Sequence, residues 1–166
     1  MAPKPKAALG LPLTALSPID IGRLLRELAS IDEYLTQLHL KSEDDKAKLP
    51  KTTELMDNLI EINKLNLLVA SQRRHVLDFL KNTKADAPVL HISFGAEPSP
   101  AFLEKLVTWL RREIHPMVLV IVGLQPNIGA GCLVRSTNKY FDFSLRQNLD
   151  TNRDLLMSKL REVVTV

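Results

Sequence analysis

Val89-Leu90-His91-Ile92-Ser93-Phe94-Gly95 is where the chain changes its hydrophobic rhythm. The stretch alternates in part between apolar and polar residues and closes on glycine, the pattern of a β-strand. From Ile21 to Leu38 and from Leu55 to Leu80 the apolar residues repeat instead at helical spacing. Downstream, Glu97-Pro98-Ser99-Pro100 opens a helix with Ser99 as N-cap and Pro100 at the first helical position. Phe102, Leu103, Leu106, Val107, Trp109, Leu110 and Ile114 give that helix an apolar face, and Pro116 stops it. Met117–Val122 is continuous and apolar, as in a strand buried on both faces. A strand then follows Gly129-Ala130-Gly131, Asn138-Lys139 makes a turn, Tyr140–Phe143 forms a last short strand, and Ser144–Val163 reads as a closing helix.

The expected order for residues 89–166 is therefore β-α-β-β-β-α. A right-handed crossover sets the first two strands parallel, and the hairpin around Asn138 is antiparallel, so the sheet is mixed. Helices are expected to pack on it, making a small α+β domain.

Upstream, Ser17-Pro18-Ile19-Asp20 signals a helix start, with Ser17 as cap. Ile21, Leu24, Leu28, Ile31, Leu35 and Leu38 follow at alternating spacings of three and four, the seam of a heptad helix. Lys41–Lys48 and Pro50 mark a loop. A second run, from Thr52 or Thr53 to Leu80, places Leu55, Leu59, Ile62, Asn66, Val69, Arg73, Val76 and Leu80 at alternating four and three. Residues 18–82 thus read as an antiparallel two-helix coiled-coil hairpin, with arms of about twenty and about thirty residues, the longer about 45 Å. Asn66 on the seam is a candidate for fixing register. Residues 1–17, rich in proline, read as a flexible arm, and 83–88 as a linker.

Composition narrows the function. The chain of 166 residues is 45% hydrophobic and 25% charged, the balance of a soluble globular protein. Its +3 charge is spread over both halves, with 13 Lys/Arg against 12 Asp/Glu in residues 1–87 and 9 against 7 in the rest, so no basic footprint for nucleic acid exists. One cysteine, Cys132, excludes an intrachain disulfide, and no apolar run is long enough to span a bilayer.

No catalytic constellation assembles. Gly129 and Gly131 lack the lysine and hydroxyl of a phosphate loop, and a strand follows them where a dinucleotide fingerprint needs a helix. They read as structural glycines, for close strand approach or a bulge. His39, His75, His91 and His115 are scattered, without a second ligand at i+3 or i+4. Ser144 lacks the nucleophile-elbow glycines, and Asp142 and Ser144 read as caps of the last helix. No cofactor or metal site is expected.

The segment Gln125-Pro126-Asn127-Ile128-Gly129-Ala130-Gly131-Cys132-Leu133-Val134-Arg135, continued by Asn138–Leu149, resembles the signature of the delta subunit of F-type ATP synthase, the oligomycin-sensitivity-conferring protein family. Pro126, Ile128, Gly129, Gly131, Asp142, Ser144, Leu145 and Leu149 match it residue by residue, and the resemblance covers about residues 88–163. It implies a non-catalytic stator subunit at the cytoplasmic side of a bacterial plasma membrane, peripheral and not inserted. In the family this domain holds the b-type helices of the peripheral stalk. The family's N-terminal helical bundle binds the alpha subunit of the catalytic head. Residues 18–82 depart from that bundle, so the alpha-subunit contact has no matching segment here. The expectation for the hairpin is pairing with b-type helices through Leu55, Leu59, Ile62, Val69, Val76 and Leu80. The alternative class is a free-standing coiled-coil adaptor or regulator.

Overall fold

The computed structural model describes residues 9–41 and 50–164. They form two compact units. One runs to Pro88 and takes in Glu104–Leu119; the other comprises Val89–Leu103 and the chain from Val120 onward.

The first unit is helical: α1 (Pro18–Lys41), α2 (Glu54–Asn63), α3 (Ala70–Asp86) and most of α4 (Pro100–Glu113). Ser17 caps α1 as its sequence suggests. Its amide and hydroxyl donate to Asp20 Oδ2 at 2.9 and 2.8 Å, and its hydroxyl accepts from the Asp20 amide at 3.3 Å, a reciprocal capping arrangement. The heptad seam faces inward, with Ile21, Leu24, Leu28, Ile31 and Leu35 all buried. α1 packs chiefly on α3. Met56, Leu59, Leu67, Val76 and Leu80 complete the helical core.

The second run is not one long arm but two helices, which corrects the hairpin reading. α2 ends where Lys64 turns left-handed (φ 50°, ψ 49°). The Lys64 amide then donates to Glu61 O and the Leu65 amide to Ile60 O, the paired bonds of a Schellman stop. Asn66 lies in the turn rather than on a seam, its Oδ1 accepting from the Leu68 amide at 3.0 Å. Arg73 then fixes the turn. Its Nη1 donates to Leu67 O (2.8 Å) and Leu68 O (3.1 Å), while its Nε meets Asp32 Oδ1 on α1 at 2.5 Å. A buried arginine consumes the carbonyls that a continuous helix would have used itself. Of the loop expected at Lys41–Lys48 and Pro50, Lys41 ends α1, and residues 42–49 lie outside the described residues.

The described part of the expected arm makes hydrogen bonds to α2 and α4. The Gly10 amide donates to Asn63 Oδ1 at 2.7 Å, and Asn63 Nδ2 donates back to Gly10 O at 2.9 Å. Arg111 on α4 donates to Leu11 O, Pro12 O and Ala15 O at 3.2, 2.8 and 2.6 Å. Leu11 and Ala15 are buried. Residues 1–8 lie outside the described residues.

The chain is α+β, with a four-stranded mixed sheet in the order β2-β1-β3-β4. The strands are β1 (Val89–Phe94), β2 (Leu119–Leu124), β3 (Cys132–Arg135) and β4 (Tyr140–Asp142). Leu119 N–H donates to Pro88 O and Gln125 N–H to Phe94 O, so both strands advance together and β1 and β2 are parallel. β1–β3 and β3–β4 are antiparallel. Leu90, Ile92 and Phe94 point into the core; Phe94 meets Phe102 of α4 edge to face with ring centres 5.8 Å apart.

The closing helix is likewise two pieces, α5 (Leu145–Thr151) and α6 (Arg153–Val164), parted at Asn152. Asp150-Thr151-Asn152 is a run of short polar side chains that compete with helical backbone bonding. These helices were expected to pack on the sheet, yet every described side chain from 145 to 162 is exposed.

Candidate functional site

The matched residues of the glycine segment converge on one turn. Pro126 starts a 3-10 turn (Pro126–Ile128), and Ile128 is buried beneath it. Gly129 follows at φ +70° and Gly131 at φ +93°, a region that side-chain-bearing residues avoid. A Cβ on Gly95 would stand 3.0 Å from Gly129 O, and one on Gly131 would stand 2.9 Å from Ser144 Cα and run into Phe143 O. The glycines therefore let three backbone segments touch.

Hydrogen bonds tie the same place together. Phe143 N–H donates to Cys132 O, and Leu145 N–H to Ala130 O, each at 2.9 Å. The Ser144 amide donates to Asp142 Oδ1 at 2.8 Å, and the Ser144 hydroxyl accepts from the Gln147 amide at 3.4 Å. Asp142 thus holds Ser144, and Ser144 caps α5. The Ser144 hydroxyl and amide keep the Asp142 carboxyl below the usual carboxylate range. Burial pushes the Cys132 thiol up, which suits a packing residue rather than a nucleophile.

The turn delivers α5 and α6 into solvent. Leu145, Leu149, Leu155, Leu156, Met157 and Leu160 are between 44% and 61% exposed, and Phe141 and Phe143 beside them 44% and 57%. Leu149, Leu155 and Leu156, with Asn152 and Lys159, line an almost wholly apolar trough of about 340 Å³. Monomeric proteins seldom leave so many contiguous large apolar side chains in water.

The hairpin residues expected to grip a partner are not brought together. Leu59, Val76 and Leu80 are fully buried in their own unit, and Leu55 is half-buried. Ile62 is exposed near the end of α2 and Val69 in the turn before α3. Of the residues that carry the resemblance, Gly129, Gly131, Asp142 and Ser144 build the turn, while Leu145 and Leu149 lie on the exposed face. Sequence reasoning missed Leu155, Leu156, Met157 and Leu160. Their helical spacing was visible, but spacing does not tell a face buried in its own fold from one left for another chain.

Among the described residues no group of His, Cys, Asp and Glu could hold a metal ion, and no helix is long and apolar enough to cross a membrane. No family model and no curated protein matches the chain.

Proposed function

We propose that this chain is a non-catalytic connector in the peripheral stalk of an F-type ATP synthase, of the delta-subunit kind. It would work at the cytoplasmic face of the membrane without entering it. The observation that carries the reading is the apolar face of α5 and α6, which follows directly on a turn built from the matched residues Gly129, Gly131, Asp142 and Ser144. A connector needs such a surface: apolar, exposed, and open to a helix of another chain.

The mechanical role follows from the chemistry. Resisting rotor torque requires tight, non-reacting contact, and covering half-exposed leucines supplies it at about 1 kcal/mol each. The proposed partner on this face is a b-type stalk helix. This replaces the hairpin as the gripping element, because Leu59, Val76 and Leu80 are occupied within their own core.

The test is affinity purification of the tagged full chain from gently solubilised membranes of the source cells. Recovery of b-type, alpha and beta subunits in fixed ratio is expected. Their absence, with the rotary complex intact in the same extract, removes the reading.

A further inference from the structure

The sheet has a second face, opposite Leu90, Ile92 and Phe94. Strand alternation puts His91 and Ser93 of β1 on it. The register sets His91 opposite Arg135, and Arg135 opposite Tyr140, so three side chains cross β1, β3 and β4 in one row. Neighbours in such a row stand about 4.5–5.5 Å apart at Cβ. A trough of about 690 Å³ follows the row and takes in Ser93, Leu133 and Thr137.

The chemistry of the trough is one-sided. Its side chains offer a guanidinium, an imidazole and several hydroxyls, and no carboxylate lines it. Arg135 makes no ion pair or side-chain hydrogen bond among the described residues. It stands on β3, held between two neighbouring strands, so its backbone position is fixed before any ligand arrives. The nearest acid in the register, Asp142 opposite Leu133, is held by the Ser144 amide and does not line the trough.

An arginine fork is matched in shape and charge by a carboxylate, which it holds with two parallel hydrogen bonds. The trough is half-open to solvent, whereas a small ligand depends on enclosure of most of its surface. A chain segment needs only one of its sides covered. We infer that this trough docks a segment of a partner chain carrying Glu or Asp, with the carboxylate on Arg135, flanking contacts from His91 and Tyr140, and Leu133 beneath its aliphatic part. The inference is independent of the stalk reading, since the trough shares no lining residue with the apolar face of α5 and α6.

The test is an NMR titration of the isotope-labelled full chain with three probes. These are a short capped peptide of Glu, Leu and Ala, its Gln-for-Glu counterpart, and inorganic phosphate. Saturable shifts at the amides of Ser93, Arg135, Thr137 and Tyr140 are expected with the Glu peptide, and binding about tenfold weaker with the Gln peptide, as loss of a charge-assisted pair requires. Arg135→Gln lowers affinity for the Glu peptide about tenfold and Tyr140→Phe about twofold, each keeping the native spectrum elsewhere. Absent shifts, equal binding of the two peptides, an unchanged affinity in Arg135→Gln, or phosphate binding as tightly as the peptide would each overturn the assignment. The last would make it a free-anion site. Stalk recovery is decided separately by purification, so the two ideas can fail apart.

Discussion

Ser144 Cα occupies the space that a side chain on Gly131 would need, at 2.9 Å from the position of its Cβ. One glycine therefore decides how closely the strand β3 passes the start of α5. Gly131→Ala combines that collision with a backbone angle of φ +93°, which alone costs about 1–3 kcal/mol. Denaturant unfolding should show a loss at or above that range. Gly129→Ala, where a Cβ meets nothing within 4 Å, should lose less.

Arg73 is worth more through its carbonyl partners than through its ion pair. Arg73→Met leaves Leu67 O and Leu68 O without their donor, and about 1–3 kcal/mol of stability should go with them. Asp32→Asn should cost under about 1 kcal/mol, because Asp32 is half in solvent and screened. Thermal melts of the two variants in low and high salt separate the contributions.

Arg111 and Asn63 together hold residues 10–15. The Arg111 guanidinium is desolvated, which lowers its pKa, and its Nε is buried without a partner among the described residues. Arg111→Met should release the segment while leaving α1 and α3 folded. The readout is hydrogen exchange at the Ala15 amide, now bonded to Pro12 O, accelerating at least about tenfold while the Leu28 amide stays protected.

Asp142 gives a pH signature. Its folded pKa is depressed by the Ser144 hydroxyl and amide, so its contribution is complete above the unfolded Asp value of about 3.9. It is lost as pH falls through the lower folded value. Asp142→Asn should remove that part of the acid limb of the stability curve and fray α5, seen as faster exchange at the Gln147 amide.

Leu156→Ser and Leu155→Ser should leave the unfolding free energy within about 0.5 kcal/mol of native, as exposed positions do. Both should reduce recovery of the b-type subunit. Retention of native recovery in the double variant would remove α6 from the proposed interface.

Much of the architecture could be read before any coordinates. Ser17-Pro18 and Ser99-Pro100 start helices where their capping chemistry says they should. The seam from Ile21 to Leu35 is buried throughout, and the Val89–Phe94 alternation is a strand. The break inside the second run was hidden because Lys64 takes a left-handed turn that glycine usually signals. Arg73 also occupied a seam position that spacing alone assigns to packing. Whether Leu59 or Leu155 faces a partner depends on which tertiary surface is left over, and periodicity is silent on that.

Arg111 lies 96 to 100 residues beyond the carbonyls it secures. At ribosomal speeds of about 5–20 residues per second, residues 11–15 wait on the order of 5–20 s for their clamp to be synthesised. The first described turn of the chain is thus among the last to be locked, and the helical unit cannot close around Leu11 and Ala15 until α4 has emerged.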